Sequence, residues 1–304
     1  MTFLNLVVYA TAIIFVVAIL ARAIRIAKMP VHVRWELYPV PHEKGRAHYG
    51  GSRLEEVDWW TKPIEKDHLG ELKVMIPEIL FLKGVWEHNK KLWTGSFPLH
   101  FGLYLLMGNM AILTLSAVLQ IFGVEIAVLP TLITNIALAG CVIGAIGSVI
   151  MLGLRMFSSD LSKFSTPSHF FNILMLGAIY VTGLVWVMDS GFAADSMKLY
   201  SGILTFSATP SLSMIAYWHL GFSLFFIFYL PFTHMTHFFT KYFTYHSVRW
   251  EDEPNRPGDP IQDKINPSLA QIVTWSAPHV GADGKKNWVD IATSPMPELQ
   301  KESK

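Results

Sequence analysis

The chain has 304 residues, 52% of them hydrophobic and only 15% charged, with a net charge of +1 and a positive mean hydropathy. This profile excludes an ordinary soluble globule and fits a chain embedded largely in a bilayer. Cys141 is the only cysteine and lies inside an apolar run, which excludes a disulfide and a thiolate iron–sulfur or zinc site within this chain; packing is its ordinary role.

Five apolar runs are long enough to cross a membrane as helices. The first, Thr2 to Ala21, has no basic residue ahead of it and Arg22, Arg25 and Lys28 behind it, so it reads as a retained anchor rather than a secretory signal. Residues 22–95 follow as a segment outside the membrane. It opens on an extended, proline-broken stretch (Met29-Pro30, Tyr38-Pro39-Val40-Pro41, Gly50-Gly51). From Leu69 to Trp93 it turns into an amphipathic helix pattern, fit for the membrane surface or a partner. The second span, Phe97 to Phe122, is expected to start at Ser96 as N-cap with Pro98 in its first turn. The third, Val124 to Leu154, is expected to tilt or break near Pro130. Gly140, Gly144 and Gly147 repeat along it at a small-residue spacing that suits close helix packing or a flat macrocycle. The fourth runs from His169 to Met188 and the fifth from Met214 to Phe239. The tail from Thr240 carries seven of the 17 prolines, with Trp250, Trp275 and Trp288 along it, and reads as extended chain lying against another subunit.

Cations alternate between the connections. Thirteen Lys and Arg lie between Arg22 and Lys91, none between spans two and three, Arg155 and Lys163 after span three, Lys198 alone after span four, and eight beyond Phe239. The positive-inside rule then places the N-terminus outside and the C-terminus in the cytoplasm of an inner membrane. The basic residues near the membrane are explained by this topology rather than by nucleic acid. The expected domains are an anchor (1–21), a cytoplasmic segment (22–95), a four-helix membrane core (96–239) and a cytoplasmic tail (240–304).

Histidines carry the chemistry. His219 and His237 lie 18 residues apart in the fifth run. On one continuous helix that is five turns, which sets both imidazoles on one face about 27 Å apart along the axis. Histidine inside a membrane is costly and neutral imidazole is a usual axial ligand of haem iron. Depth pairs His237 with His100, a few residues into the second span. His219, near the opposite end, meets no second histidine. Met110 stands about 15 Å beyond His100 and offers a thioether, and a five-coordinate haem on His219 alone is the alternative. His234 reads as interfacial, near a haem propionate or lipid headgroups. Arg155 and Lys163 are placed to pair with propionates, though topology alone puts cations there, and His169 is read as contacting a haem or partner without ligating.

Five spans, "PLHFGLYLL" around His100 and "YWHLGFSLFFIFYLPFTHMTHFF" around His219 and His237 resemble the dihaem cytochrome b, or gamma, subunit of the respiratory nitrate reductase superfamily. The resemblance implies an all-α, five-transmembrane-helix bundle binding two b-type haems, one near each membrane face, with quinol oxidised near the outer one. His100, His237 and His219 match three of that family's four ligands, and Met110 stands where the fourth would fall. The long segment with "WELYPVPHE" and "HNKKLW" is more similar to the membrane subunits of sulfite-reduction-associated, heterodisulfide reductase and transmembrane cytochrome c complexes. That branch implies a cytoplasmic iron–sulfur partner akin to the catalytic subunit of heterodisulfide reductase.

The expected function is electron transfer between a quinone pool, with menaquinol as donor, and that iron–sulfur subunit, in a chain surrounded by membrane lipids. Feeding of the outer haem by a periplasmic multihaem cytochrome c is a second reading. A transporter or scaffold with proton- or metal-binding histidines is a third, disfavoured by the near absence of carboxylates in the spans.

Overall fold

A computed structural model describes residues 2–31, 43–49, 51–63, 65–249 and 258–295. In chain order the helices are α1 (Phe3–Ala27), α2 (His68–Leu80), α3 (Lys83–His88), α4 (Lys90–Ile121), α5 (Leu129–Phe157), α6 (Ser159–Ser162) and α7 (Pro167–Val187). They continue as α8 (Phe192–Leu204), α9 (Met214–Tyr229), α10 (His237–Phe243), α11 (Pro260–Leu269) and α12 (Trp288–Thr293). Strands β1 (Ser276–Ala277) and β2 (Ala282–Asp283) pair antiparallel, with Ser276 opposite Asp283. Among the described residues five helices are long and apolar enough to cross a membrane: α1, α4, α5, α7 and α9 with its short extension to Phe232. This is the helical architecture of a multi-pass membrane protein. His32, His42, Trp250 and the stretch around Pro39 and Pro41 lie outside the described residues.

The chain divides into two compact units. The first, Met1–Ile19 with Lys73–His234, packs α4 on α5, α5 on α7, α7 on α9, and α8 on α4. Glycine makes the central contacts. A β-carbon on Gly147 would lie 2.2 Å from the Leu99 amide nitrogen, and one on Gly102 would lie 2.5 Å from the Gly144 Cα, so α4 and α5 touch backbone to backbone. Tyr180 of α7 crosses α5 at Gly144 and donates its hydroxyl hydrogen to the Leu99 carbonyl at 2.8 Å, fully buried. The stripe Gly140, Gly144 and Gly147 is thus filled by α4 and by the Tyr180 ring, which answers in favour of helix packing. A core of Leu113, Ile133, Ala137, Trp186, Phe192, Leu199 and Ala216 closes one end of this unit. Buried Asn5 ties α1 to that end through its amide, which donates to the Ser207 carbonyl at 3.0 Å, and the Tyr9 hydroxyl donates to that of Ile203 at 2.7 Å.

Several boundaries differ from the sequence expectation, each for a local reason. Asn89 caps α4, its side chain accepting from the Leu92 amide at 2.9 Å, so Ser96 and Pro98 stand inside the helix and not at its start. The amphipathic stretch breaks at Leu82, whose φ is +52°, into α2 and α3. Leu72, Ile76 and Leu80, one face of α2, remain exposed. Pro130 opens α5 without interrupting it, its missing N–H being one the first turn does not use. The fourth connection contains α8, which buries Phe192, Ser196 and Leu199 at helical spacing. The fifth run is not one helix to Phe239. At Pro231 the ring removes an amide, the chain tightens into short turns at Leu230–Phe232 and His234–Thr236, Thr233 is extended between them, and α10 starts anew at His237.

The second unit joins Leu20–Leu72 to Met235–Lys304. Buried Glu43 accepts from the Ser52 hydroxyl at 3.2 Å and from the Arg53 amide, and the Arg53 guanidinium covers the Trp59 ring at 5.0 Å. The Val31 amide donates to the Lys264 carbonyl at 3.0 Å, and His246 Nε2 stands 3.3 Å from Glu71. The tail is therefore more ordered than an extended strap. Its helices and hairpin bury Ile265, Val273 and Ala282, and Trp275 meets Trp288 edge to face with centroids 5.9 Å apart.

Candidate functional site

His219 lies one and a half turns into α9 and faces α7. Its Nδ1 stands 3.1 Å from the Ile179 carbonyl oxygen and 3.3 Å from Thr182 Oγ1. A carbonyl only accepts, so Nδ1 carries the hydrogen and the lone pair falls on Nε2. The Ile179 carbonyl is near because Gly183 lacks a side chain: a β-carbon there would lie 2.9 Å from His219 Cε1 and 2.8 Å from Cys141 Sγ. Trp186, one turn further along α7, tilts over the imidazole with centroids 5.6 Å apart and is itself wedged by Phe192 at 5.0 Å. The ring is thus held by α7, at Ile179, Thr182 and Trp186, with Phe192 of α8 behind the tryptophan.

His100 is arranged in the same way by its own helix. Its Nδ1 donates to the Ser96 carbonyl at 2.7 Å, one turn back, which again leaves Nε2 as the basic nitrogen. A carbonyl or carboxylate on the second ring nitrogen is the usual companion of a metal-ligating histidine, since it fixes the tautomer and raises the basicity of the other nitrogen. Both rings are half-buried. Donor type and tautomer at these two positions suit axial ligation of haem iron.

The other sequence candidates divide. His237 opens α10 in the second unit, with buried Thr236 as its N-cap, while His100 belongs to the first unit. The break at Pro231 removes the continuous five turns from which a shared face of His219 and His237 was expected. Met110 stands on α4 with 46% of its surface exposed. Its neighbour Asn109 is buried, with Oδ1 lacking a hydrogen-bond partner. His169 caps α7: its Nδ1 accepts from the Thr166 amide at 3.0 Å, so its hydrogen sits on Nε2 and the neutral ring has no lone pair to offer from that side. Among the described residues no three His, Cys, Asp or Glu side chains gather into a metal-holding group.

Sequence reasoning missed Gly183, Ile179 and Thr182. The signal existed in outline: "YVTGLVW" places a small residue and a hydroxyl on one turn of the fourth span, as a helix receiving a bulky ring requires. No family model, curated protein or solved structure matches the chain.

Proposed function

We propose that this chain is a cytochrome b-type electron-transfer subunit of a membrane oxidoreductase, connecting a quinone pool, menaquinol in the first instance, to an iron–sulfur protein. The observation that supports this best is the shared state of His100 and His219. Two imidazoles in membrane-spanning helices each commit Nδ1–H to a main-chain carbonyl, which keeps Nε2 as the basic nitrogen of the neutral ring.

Haem b, when bound, supplies a reversible one-electron couple that side chains lack. The chain's own part is to hold the ligands. For the inner haem the proposed axial pair is His100 and His237; for the outer haem it is His219, with Met110 or no side chain opposite. Ile179 and Ser96 keep the two tautomers, Gly183 gives the His219 ring its place, and Trp186 with Phe192 keeps water from its flank. The alternation of cations along the sequence supports an outside N-terminus and a cytoplasmic C-terminus, hence an iron–sulfur partner in the cytoplasm akin to the catalytic subunit of heterodisulfide reductase.

A reduced-minus-oxidised visible spectrum of the purified chain, with haem counted per polypeptide, tests the reading. Two b-type haems are expected, falling to one in His219→Ala. A chain that carries no b-type bands when expressed with ample haem supply overturns it.

A further inference from the structure

At the end of the first unit where α5 stops and α7 begins, a set of hydrogen-bond donors gathers without a carboxylate. Arg155, in the last turn of α5, donates from Nη1 to Ser165 Oγ at 3.1 Å, while its Nε is buried with no hydrogen-bond partner. Among the described residues no acidic side chain lies within ion-pair distance of it. Ser165 is followed by Thr166, which fixes His169 through Nδ1 and leaves Nε2–H as a donor. The His169 ring stands 5.0 Å from the His234 ring at the end of the fifth span. His234 is fixed in the opposite sense: the Tyr229 hydroxyl donates to Asn172 Oδ1 at 3.1 Å, which turns the Asn172 amide NH₂ towards His234 Nε2 at 3.4 Å. His234 Nε2 therefore accepts and Nδ1 carries the hydrogen.

Arg155, His169 and His234 thus each present N–H, while the neighbouring acceptors Asn172 Oδ1 and His234 Nε2 already take hydrogen bonds from Tyr229 and Asn172. A buried guanidinium nitrogen without an acceptor costs free energy in proportion to its desolvation. Around the donors the surface is apolar: Phe157 and Phe164, either side of the α5–α7 connection, are 83% and 77% exposed, and Phe171 and Leu174 continue the apolar face along α7. Lys163 is exposed beside Phe164. Aromatic rings flanking cations at the end of spanning helices are what a headgroup layer selects.

We infer that Arg155, His169 and His234 form a binding site for the phosphate of an anionic membrane phospholipid, whose acyl chains lie along Phe171 and Leu174. A phosphate supplies the acceptors the three donors lack, and the apolar face supplies a reason for the phosphate to arrive on a lipid. The inference needs only the membrane reading of the helices and is independent of haem.

Native mass spectrometry of the full chain, purified in detergent and exposed to phosphatidylglycerol, phosphatidylcholine or sodium phosphate, tests it. Phosphatidylglycerol should be retained about tenfold over phosphatidylcholine, as charge-assisted pairing with guanidinium implies, and Arg155→Gln should bring the two to parity without altering far-ultraviolet circular dichroism. If Arg155→Gln does not fold, His234→Phe, which keeps the ring's bulk, should reduce the preference several-fold. No preference in the unaltered chain, or a preference untouched by either variant, overturns the site. So does sodium phosphate binding without lipid selectivity, which makes it a free-anion site, or loss of haem with lipid retention unchanged, which makes the cluster a seat for a haem carboxylate.

Discussion

Gly183 leaves room for His219 only because it lacks a side chain: a β-carbon on the glycine would stand 2.9 Å from the imidazole Cε1. Such a distance forces one partner to move, and the glycine is backbone inside α7, near its C-terminal end. The ring must give way, and with it the hydrogen bond from Nδ1 to the Ile179 carbonyl. Gly183→Ala should therefore cost about 1–3 kcal/mol through overpacking and, on the haem reading proposed above, lower haem content from two to one per chain. Gly153→Ala on α5, where a β-carbon meets nothing within 4 Å, should leave haem content unchanged and raise stability slightly, by up to about 1 kcal/mol. Pyridine haemochrome assay of the two variants side by side makes the comparison.

Removing one atom from Tyr180 tests the packing of the bundle apart from its ligands. Its hydroxyl donates to the Leu99 carbonyl in a buried place, so Tyr180→Phe should destabilise by about 1 kcal/mol, the net worth of such a bond. Ring volume, and hence the fit over Gly144, is kept. Thermal unfolding in detergent should shift down modestly while, on the haem reading proposed above, the visible spectrum keeps its shape; a large spectral change would mean that Tyr180 acts on the proposed haem environment directly.

The start of α4 depends on a side chain the sequence reading passed over. Asn89→Ala removes the acceptor for the Leu92 amide and should cost about 1 kcal/mol, with faster hydrogen exchange confined to the first turn. Ser96→Ala should not fray that end, because Ser96 is helix interior and meets His100 Nδ1 chiefly through its main-chain carbonyl at 2.7 Å, its hydroxyl standing further off at 3.4 Å.

In the second unit Asp283 accepts from the amides of Lys285 and Lys286 at 2.9 and 3.0 Å, and these bonds, with the nearby Lys286 charge, hold its carboxyl below the ordinary aspartate range. A depressed folded value means that the turn is stabilised above the unfolded pKa and loses that stabilisation as pH falls through the folded one. Acidification should therefore loosen the β1–β2 turn first in the Lys285 and Lys286 amides, and Asp283→Asn should abolish that pH dependence. Amide hydrogen exchange at stepped pH reads both.

Composition made the spans legible, because an apolar run of helix length has few other uses. The histidines proposed as ligands stand out in the sequence for a related reason, since a histidine in such a run differs from all its neighbours. What escaped was set by single residues whose effect is geometric. Pro231 lies in a run that stays apolar to Phe239, so hydropathy carries straight across a place where the backbone cannot. Asn89 was outweighed by the more familiar pairing of Ser96 with Pro98. Helix α8 was hidden because its buried face of Phe192, Ser196 and Leu199 includes a serine, whose hydroxyl is satisfied by the Phe192 carbonyl at 2.7 Å. The tail's prolines suggested unbroken extension, yet Pro260 sits in the first turn of α11, where proline is at ease.

The backbone contact at Gly147 and Leu99 has a mechanical meaning. Because main chain rests on main chain, the height of Leu99, and of His100 beside it, is keyed to α5 and does not depend on the sliding of flexible side chains. In a bilayer thicker or thinner than the helices prefer, α4 and α5 would tilt together as one plank rather than slip past each other. His100 would keep its level relative to Gly147 whatever the membrane's thickness, in the way a notch keeps two boards in step.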